Sequence, residues 1–286
     1  IGAGLMGSGI AAQVANAGFP VTLLDIVPDG ATNRNVIADS AVRKMLKPVK
    51  LGSPAPLMHK KNAKLITTGN IDDNLDLIKD ADLIIEVVLE RLDVKHDVFN
   101  KIEKHRKKGS IITSNTSTIP REQLVKGMSE SFAKDFMITH FFNPPRYLRL
   151  LEIVSGSEVS SDKVQIVSDF CDINLGKEVV VCNDTPGFIG NRIGTYWTLV
   201  GMVEAFKSNL TVEEADAVMS RPIGVPKTGI FGLADVVGID LIPHVTNSMI
   251  SNLAKGDPYC VAYSEQEELG ISQLFSDMVD DGYTGR

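Results

Sequence analysis

Cysteine is scarce in this chain. Cys171, Cys182 and Cys260 are the three among 286 residues. Their number is odd and their spacing fits no metal-ligand motif, which argues against a disulfide framework and a zinc site and for reduced thiols in a cytosolic-type compartment. No other residue set calls for a metal. A basic excess is also missing: 29 Lys and Arg face 36 Asp and Glu, a net charge of -7. Nucleic acid as a partner therefore finds no support, although a local field can still hold an anionic ligand. No apolar run approaches the ~18 residues that a membrane-spanning helix needs. No signal or transit peptide, repeat or low-complexity tract is visible. What is present suits two domains with a sizeable core, at 43% hydrophobic and 23% charged residues.

The first half alternates short branched apolar runs with amphipathic stretches. Residues 21–25, 83–88 and 110–114 read as buried strands. Residues 6–17, 31–47 and 92–105 read as helices between them. Such alternation predicts a parallel sheet with helices on both faces. Two further runs, 136–142 and 150–154, are too close for a crossover helix, so they are expected to pair antiparallel. A helix over 163–175 and a last strand over 178–182 follow. Beyond Asp184-Thr185-Pro186-Gly187 the pattern turns helical. The expected architecture is thus α/β, a Rossmann-type doubly wound, mostly parallel sheet with antiparallel strands at its end, in domain 1–183. A smaller all-α domain occupies 184–286, and its tail from Gly256 is expected to be partly loose.

Residues 2–7 read Gly-Ala-Gly-Leu-Met-Gly, a match to G-x-G-x-x-G. Gly2 permits a tight turn, Gly4 lets a pyrophosphate approach, and Gly7 lets the following helix pack on the sheet. The phosphates would meet the N–H groups at the helix start, around Leu5 and Met6. Asp25 ends the next strand, 18 residues beyond Gly7 and close to the ~20 expected of the acid that binds the adenosine ribose. A carboxylate there repels a 2′-phosphate, which favours NAD over NADP; FAD stays an alternative. Ile1 precedes this turn directly, so the sequence reads as clipped at its N-terminus, and a targeting segment ahead of it stays open.

His140 lies near the end of the run 136–142. Glu152 sits inside the apolar run Leu150-Leu151-Glu152-Ile153-Val154. An acid there is costly unless paired. If the two strands are neighbours, Glu152 meets His140, orients its imidazole and raises its basicity. Such a pair can take a hydroxyl proton; a purely structural His–Glu bond is the alternative.

Together these segments resemble a known family. Gly-Ala-Gly-Leu-Met-Gly-Ser-Gly-Ile, Ser114-Asn115-Thr116-Ser117, His140-Phe-Phe-Asn143-Pro, Leu-Glu152-Ile-Val and Asp184-Thr-Pro-Gly-Phe-Ile-Gly-Asn191-Arg192 are similar, in order and over nearly the whole chain, to the L-3-hydroxyacyl-CoA dehydrogenases of fatty acid β-oxidation. The resemblance implies His140 as the base and Glu152 as its partner. It implies that Ser117 and Asn191 bind substrate or arrange the histidine, and that Asn143 lies beside the base. Gly2, Gly4, Leu5, Met6, Gly7, Asp25, Glu90, Lys95 and Asn115 fall on the cofactor side. It further implies NAD as cofactor, an acyl-CoA substrate, a helical domain that completes the substrate cleft, a homodimer, and a fused or partner enoyl-CoA hydratase in some relatives. The expected compartment is a bacterial cytoplasm, or a mitochondrial matrix if a targeting segment was clipped.

Two alternatives stay open at this stage: a related dehydrogenase of a free hydroxy acid or sugar acid such as gulonate, and a nucleotide-binding structural protein without catalysis. The turn Pro144-Pro145-Arg146-Tyr147-Leu148-Arg149 departs from the apolar turn of many relatives, and suggests that Arg146 or Arg149 meets a CoA phosphate. His59, His96, His105 and His244 have no assigned role. The C-terminal Gly-Tyr-Thr-Gly-Arg also departs from relatives that continue, so the chain reads as a fragment.

Overall fold

The computed structural model describes residues 1–48 and 55–285. The chain divides into two compact units, Ile1–Asp184 and Thr185–Arg286. In the first, α1 (Leu5–Asn16) leads to β1 (Val21–Asp25), α2 (Val36–Met45), β2 (Ile66–Asn70), β3 (Leu83–Glu86) and α3 (Leu92–His105). Next come β4 (Ile111–Ser114), α4 (Arg121–Val125), α5 (Glu130–Asp135), β5 (Phe136–Phe141), β6 (Leu150–Ser155), α6 (Ser161–Asp169) and β7 (Glu178–Cys182).

The strands form two sheets, β1-β2 and β3-β4-β5-β6-β7. Pairing is parallel except between β5 and β6, which run antiparallel. The glycine-rich segment bridges the sheets: Gly2 N–H donates to the Leu24 carbonyl at 2.7 Å, and the Ile1 carbonyl accepts from Val87 N–H at 2.7 Å.

Alternation along β5 and β6 sorts their side chains onto two faces. Met137, Phe141, Leu151 and Ile153 pack with Ile10 of α1 and Val167 of α6. Phe136, on the opposite face, stacks with Phe132 and meets Phe99 of α3. All six residues of β5 are buried, as expected of a strand covered on both faces. A third cluster joins Ala11, Ala12 and Ala15 of α1 to Leu23 and to Ala38, Ala41 and Met45 of α2. The alanines let these elements approach closely.

Three expectations need correction here. The helix expected over 31–47 begins at Val36, because Asn33 folds its side chain onto the Asn35 N–H at 2.9 Å and Arg34 is drawn to Asp73. Such an Asn competes with the helix backbone. Strand β2 has no counterpart in the sequence reading. Its run Ile-Thr-Thr-Gly-Asn is weakly apolar, and its glycine gives room to a neighbour, since a Cβ on Gly69 would lie 2.8 Å from the Leu24 side chain and force it to shift.

The tail from Gly256 is ordered rather than loose. The second unit holds α7 (Gly190–Lys207), α8 (Val212–Val218), α9 (Phe231–Val237), α10 (Ile242–Asn252), α11 (Pro258–Glu268) and α12 (Ile271–Asp280). Asp257 caps α11, accepting from Tyr259 N–H at 2.8 Å, with Pro258 at the first helical position. Tyr259, Ala262, Ile271 and Phe275 join Leu199, Met202, Val203 and Ile230 in one core. The apolar stripe of α11 is Tyr259, Ala262 and a buried Gln266, too mixed to read as a stripe. Arg286, the last residue of that expected tail, lies outside the described residues.

Ile271 is fully buried in this core. Ile271→Ala is expected to destabilise the second unit by about 2–5 kcal/mol, the usual cost of such a cavity. Urea unfolding of both proteins checks this, and an unchanged midpoint would restore the picture of a loose tail.

Candidate active site

The antiparallel register sets His140 opposite Glu152. Their side chains therefore share one sheet face, and His140 Nδ1 lies 2.7 Å from Glu152 Oε2. Both are buried, at 3% and 0% exposure. A carboxylate against Nδ1 favours the tautomer with the proton on that nitrogen, which leaves the lone pair on Nε2. The Phe142 ring, 4.4 Å from the imidazole between centroids, closes one side. Asn115, at the end of β4, accepts from Phe141 N–H at 2.9 Å. It thereby ties the β4 loop to the strand that carries the histidine.

A second cluster of charge is built under the loop that follows β4. Glu86, fully buried at the end of β3, accepts from Val88 N–H, Ser114 Oγ and Lys95 Nζ at 2.7, 2.6 and 2.8 Å. Lys95 is 1% exposed and also lies 3.1 Å from Glu90. Glu90 in turn accepts from the Ser117 and Thr118 N–H groups at 3.0 and 3.2 Å and from the Thr116 hydroxyl. Burial pushes the Glu90 carboxyl up, but the Lys95 ammonium and the Thr116 hydroxyl outweigh it and hold the group below its ordinary range. Lys95 is thus no solvated helix charge. It joins two carboxylates, and through Glu90 it fixes the backbone at Ser117.

At the glycine turn each glycine has its own reason. A Cβ on Gly2 would meet the Val87 carbonyl at 2.4 Å, and one on Gly7 would meet the Gly2 carbonyl at 1.9 Å. Nothing lies within 4 Å of a Cβ on Gly4. Gly2 and Gly7 are therefore required by the protein's own packing, whereas the space at Gly4 is open to a ligand. Gly4 caps α1 without a side-chain bond, so the first N–H groups of the helix, at Leu5, Met6 and Gly7, favour an anion there. Asp25 accepts from Ala3 N–H, and from Ile26 N–H at 2.6 Å, which places its carboxylate against the turn. These features fit a dinucleotide.

The remaining residues fall in different places. Asn143 is exposed and begins the β5–β6 turn, with a cis bond to Pro144. Asn191 is the second residue of α7 and belongs to the second unit. Arg146 donates to the Ala55 carbonyl and stacks over Tyr147, while Arg149 pairs with Glu178 at 3.2 Å on the surface. Both arginines thus have partners within the chain. Glu86 and Thr116 escaped the sequence reading. Glu86 carried a usable signal, an acid inside an apolar run, the same signal that pointed to Glu152. Among the described residues no cluster of three or more His, Cys, Asp or Glu is arranged to hold a metal. No described helix is long and apolar enough to cross a membrane.

Comparison with known proteins decides the family. Residues 1–185 match the model of the 3-hydroxyacyl-CoA dehydrogenase NAD-binding domain, and residues 187–286 that of the C-terminal domain.

The chain belongs to the 3-hydroxyacyl-CoA dehydrogenase family.

It is 42% identical to a probable 3-hydroxyacyl-CoA dehydrogenase of Bacillus subtilis, with all of this chain and 36% of that protein covered. It is 41% identical to a probable 3-hydroxyacyl-CoA dehydrogenase of Deinococcus radiodurans, covering all of this chain and 78% of the relative. The crystal structure of (S)-3-hydroxybutyryl-CoA dehydrogenase from Ralstonia eutropha superimposes with a TM-score of 0.73 at 30% identity, covering 100% of this chain and 93% of that one. The chain therefore spans about a third of the Bacillus relative and most of the other two.

Two expected outcomes follow from the family's NAD-binding domain and this geometry. Gly4→Ala fits the fold but fills the open space, so NADH affinity measured by fluorescence titration falls while the melting temperature stays near wild type. An unchanged affinity would mean that no phosphate approaches Gly4. Lys95→Met leaves Glu86 buried without the Lys95 counter-charge, and is expected to cost about 3–5 kcal/mol of stability in chemical denaturation. A loss below ~1 kcal/mol would show that Lys95 contributes little net stabilisation.

Proposed function

We propose that this chain carries the NAD-dependent oxidation of an L-3-hydroxyacyl-CoA to a 3-ketoacyl-CoA, the dehydrogenation step of fatty acid β-oxidation. The buried His140–Glu152 pair, with 2.7 Å between Nδ1 and Oε2, carries this reading. Bound NAD would supply a hydride acceptor at its nicotinamide, with Gly2, Gly4, Leu5, Met6, Gly7 and Asp25 holding its phosphates and adenosine ribose.

His140 then acts on the other half of the reaction. Its Nε2 takes the proton of the 3-hydroxyl as the carbon–hydrogen bond at carbon 3 is lost. Glu152 stabilises the imidazolium that forms and keeps the ring in place, so little reorganisation is needed during proton transfer. Ser117 lies on the loop that Glu90 grips by its backbone, which suits a hydroxyl that must present itself to a substrate oxygen. Asn143 begins the turn three residues beyond the base, and Asn191 stands at the start of α7 in the second unit. Asn115 supports the strand end beside His140 as well as the cofactor side. The acyl-CoA class is supported by family membership and by the Ralstonia relative, itself named for a 3-hydroxybutyryl-CoA substrate.

Steady-state reduction by NADH tests the reading. Acetoacetyl-CoA is expected to turn over, with free hydroxy and sugar acids inert in the reverse direction with NAD. His140→Gln is expected to lower kcat by on the order of 10² to 10⁴, with NADH affinity close to wild type. Turnover of the free acids alone would replace the substrate class, and an undiminished His140→Gln variant would remove the histidine from the chemistry.

A further inference from the structure

Lys177 is a charged residue that the proposed reaction does not use. It stands just before β7 and is 2% exposed. Among the described residues no carboxylate pairs with it. Its ammonium donates to the carbonyls of Pro145 and Leu148, the latter at 2.8 Å, and lies 5.6 Å from the centroid of the Phe141 ring. An ammonium so placed is expensive to bury, and burial pushes its pKa below the ordinary lysine range. An apolar side chain would avoid that cost, so the charge needs a reason beyond filling space.

The reason lies in what those carbonyls belong to. Pro145 and Leu148 sit in the turn that joins β5 to β6, the two strands that carry His140 and Glu152. Within the turn, the Pro144 carbonyl accepts from both Tyr147 and Leu148 N–H groups, at 3.0 and 3.1 Å. Among the described residues no backbone N–H donates to the carbonyls of Pro145 and Leu148, which accept from Lys177 instead. Phe141, under the ammonium, is the residue directly after His140. On its other side the turn meets the cofactor helix: a Cβ on Gly9 of α1 would lie 3.0 Å from the Pro145 ring. The far end of the turn is closed by Glu178 N–H on the Arg149 carbonyl at 2.8 Å. One ammonium thus gathers the turn, the residue after the proposed base, and the approach to the glycine-rich helix.

We infer that Lys177 is a positioning residue, whose ammonium holds the β5–β6 turn so that Asn143 and the His140 strand end keep the geometry an acyl thioester requires. The inference rests on the reading under Proposed function for the identity of the substrate, but not for the strut itself. Lys177 touches no reacting atom. It acts through two carbonyls, and what replaces it must supply two donors at that spot. Arginine retains a charged, multi-donor head there, methionine supplies none, and glutamine is a shorter neutral donor.

Two measurements on the full chain test this. Hydrogen exchange reports the turn without any need for turnover: the Tyr147 and Leu148 amides are expected to exchange on the order of tenfold or more faster in Lys177→Met, while amides of β3 keep wild-type rates. Steady-state kinetics report the consequence. In Lys177→Met the KM for acetoacetyl-CoA is expected to rise on the order of tenfold, with NADH affinity within about twofold of wild type, and Lys177→Arg is expected to recover most of the loss. If Lys177→Met does not fold, Lys177→Gln takes its place in both measurements. Wild-type exchange at 147 and 148 together with wild-type KM overturns the inference. Uniformly faster exchange in both β3 and the turn also overturns it, because the lysine would then serve general stability alone. A wild-type chain inert toward acyl-CoA would instead sink the preceding reading, and the exchange comparison would still decide whether Lys177 holds the turn.

Discussion

The contact between His140 and Glu152 constrains much of the first unit. Two buried ionisable groups tolerate this setting because each faces the other. They face each other only if β5 and β6 run antiparallel in one register. A slip of one residue would turn Glu152 into the face occupied by Ile153, Met137 and Phe141. The turn between the strands therefore has to be short and fixed. The Asn115 bond to the Phe141 backbone then ties the end of β5 to the end of β4.

Charge buried elsewhere in the same unit follows one logic. Glu86 and Lys95 lie at 0% and 1% exposure, and each has several partners with good geometry. Such clusters are poor sources of net stability compared with apolar packing. Their value is directional: hydrogen bonds accepted by Glu90 fix the backbone at 117 and 118, and those donated by Lys177 fix a turn that a greasy core would leave free to shift. Glu86, Ser114 and Asn115 lie at strand ends or just beyond them, whereas Thr113, Thr139 and Glu152 sit inside strands and find partners there, Thr139 donating to Thr113 at 2.8 Å and Glu152 facing His140 at 2.7 Å. This arrangement suits a scaffold whose rigid strands present a reactive edge.

The glycine-rich segment shows how one motif serves two masters. Gly2 and Gly7 answer to contacts inside the protein, since a Cβ at either would strike a carbonyl. Gly4 meets no such contact, and the space beside it is open. Asp25 links the two by reaching back to the Ala3 N–H from the end of β1. The same segment also bridges the two sheets by hydrogen bonds on both sides, so the cofactor turn and the assembly of the fold are one feature.

Much of this was legible in the residues alone. Spacing from Gly7 to Asp25, the strand–helix alternation, and an acid inside an apolar run are local patterns, and local patterns survive in a sequence. They indicated a doubly wound domain followed by a helical one, and singled out residues 140 and 152. Strand β2 did not show, because Thr-Thr-Gly-Asn carries no periodicity and its glycine matters only once Leu24 is beside it. The order of α11 did not show, because a buried Gln and a small Ala mask its stripe. The partners of Lys95, the grip of Glu90 on the Ser117 backbone, and the seat of Lys177 beneath a turn 29 and 32 residues earlier were decided by tertiary structure alone. Each depends on which buried groups meet across distant segments, and that is a property of packing in space, which no spacing along the chain encodes.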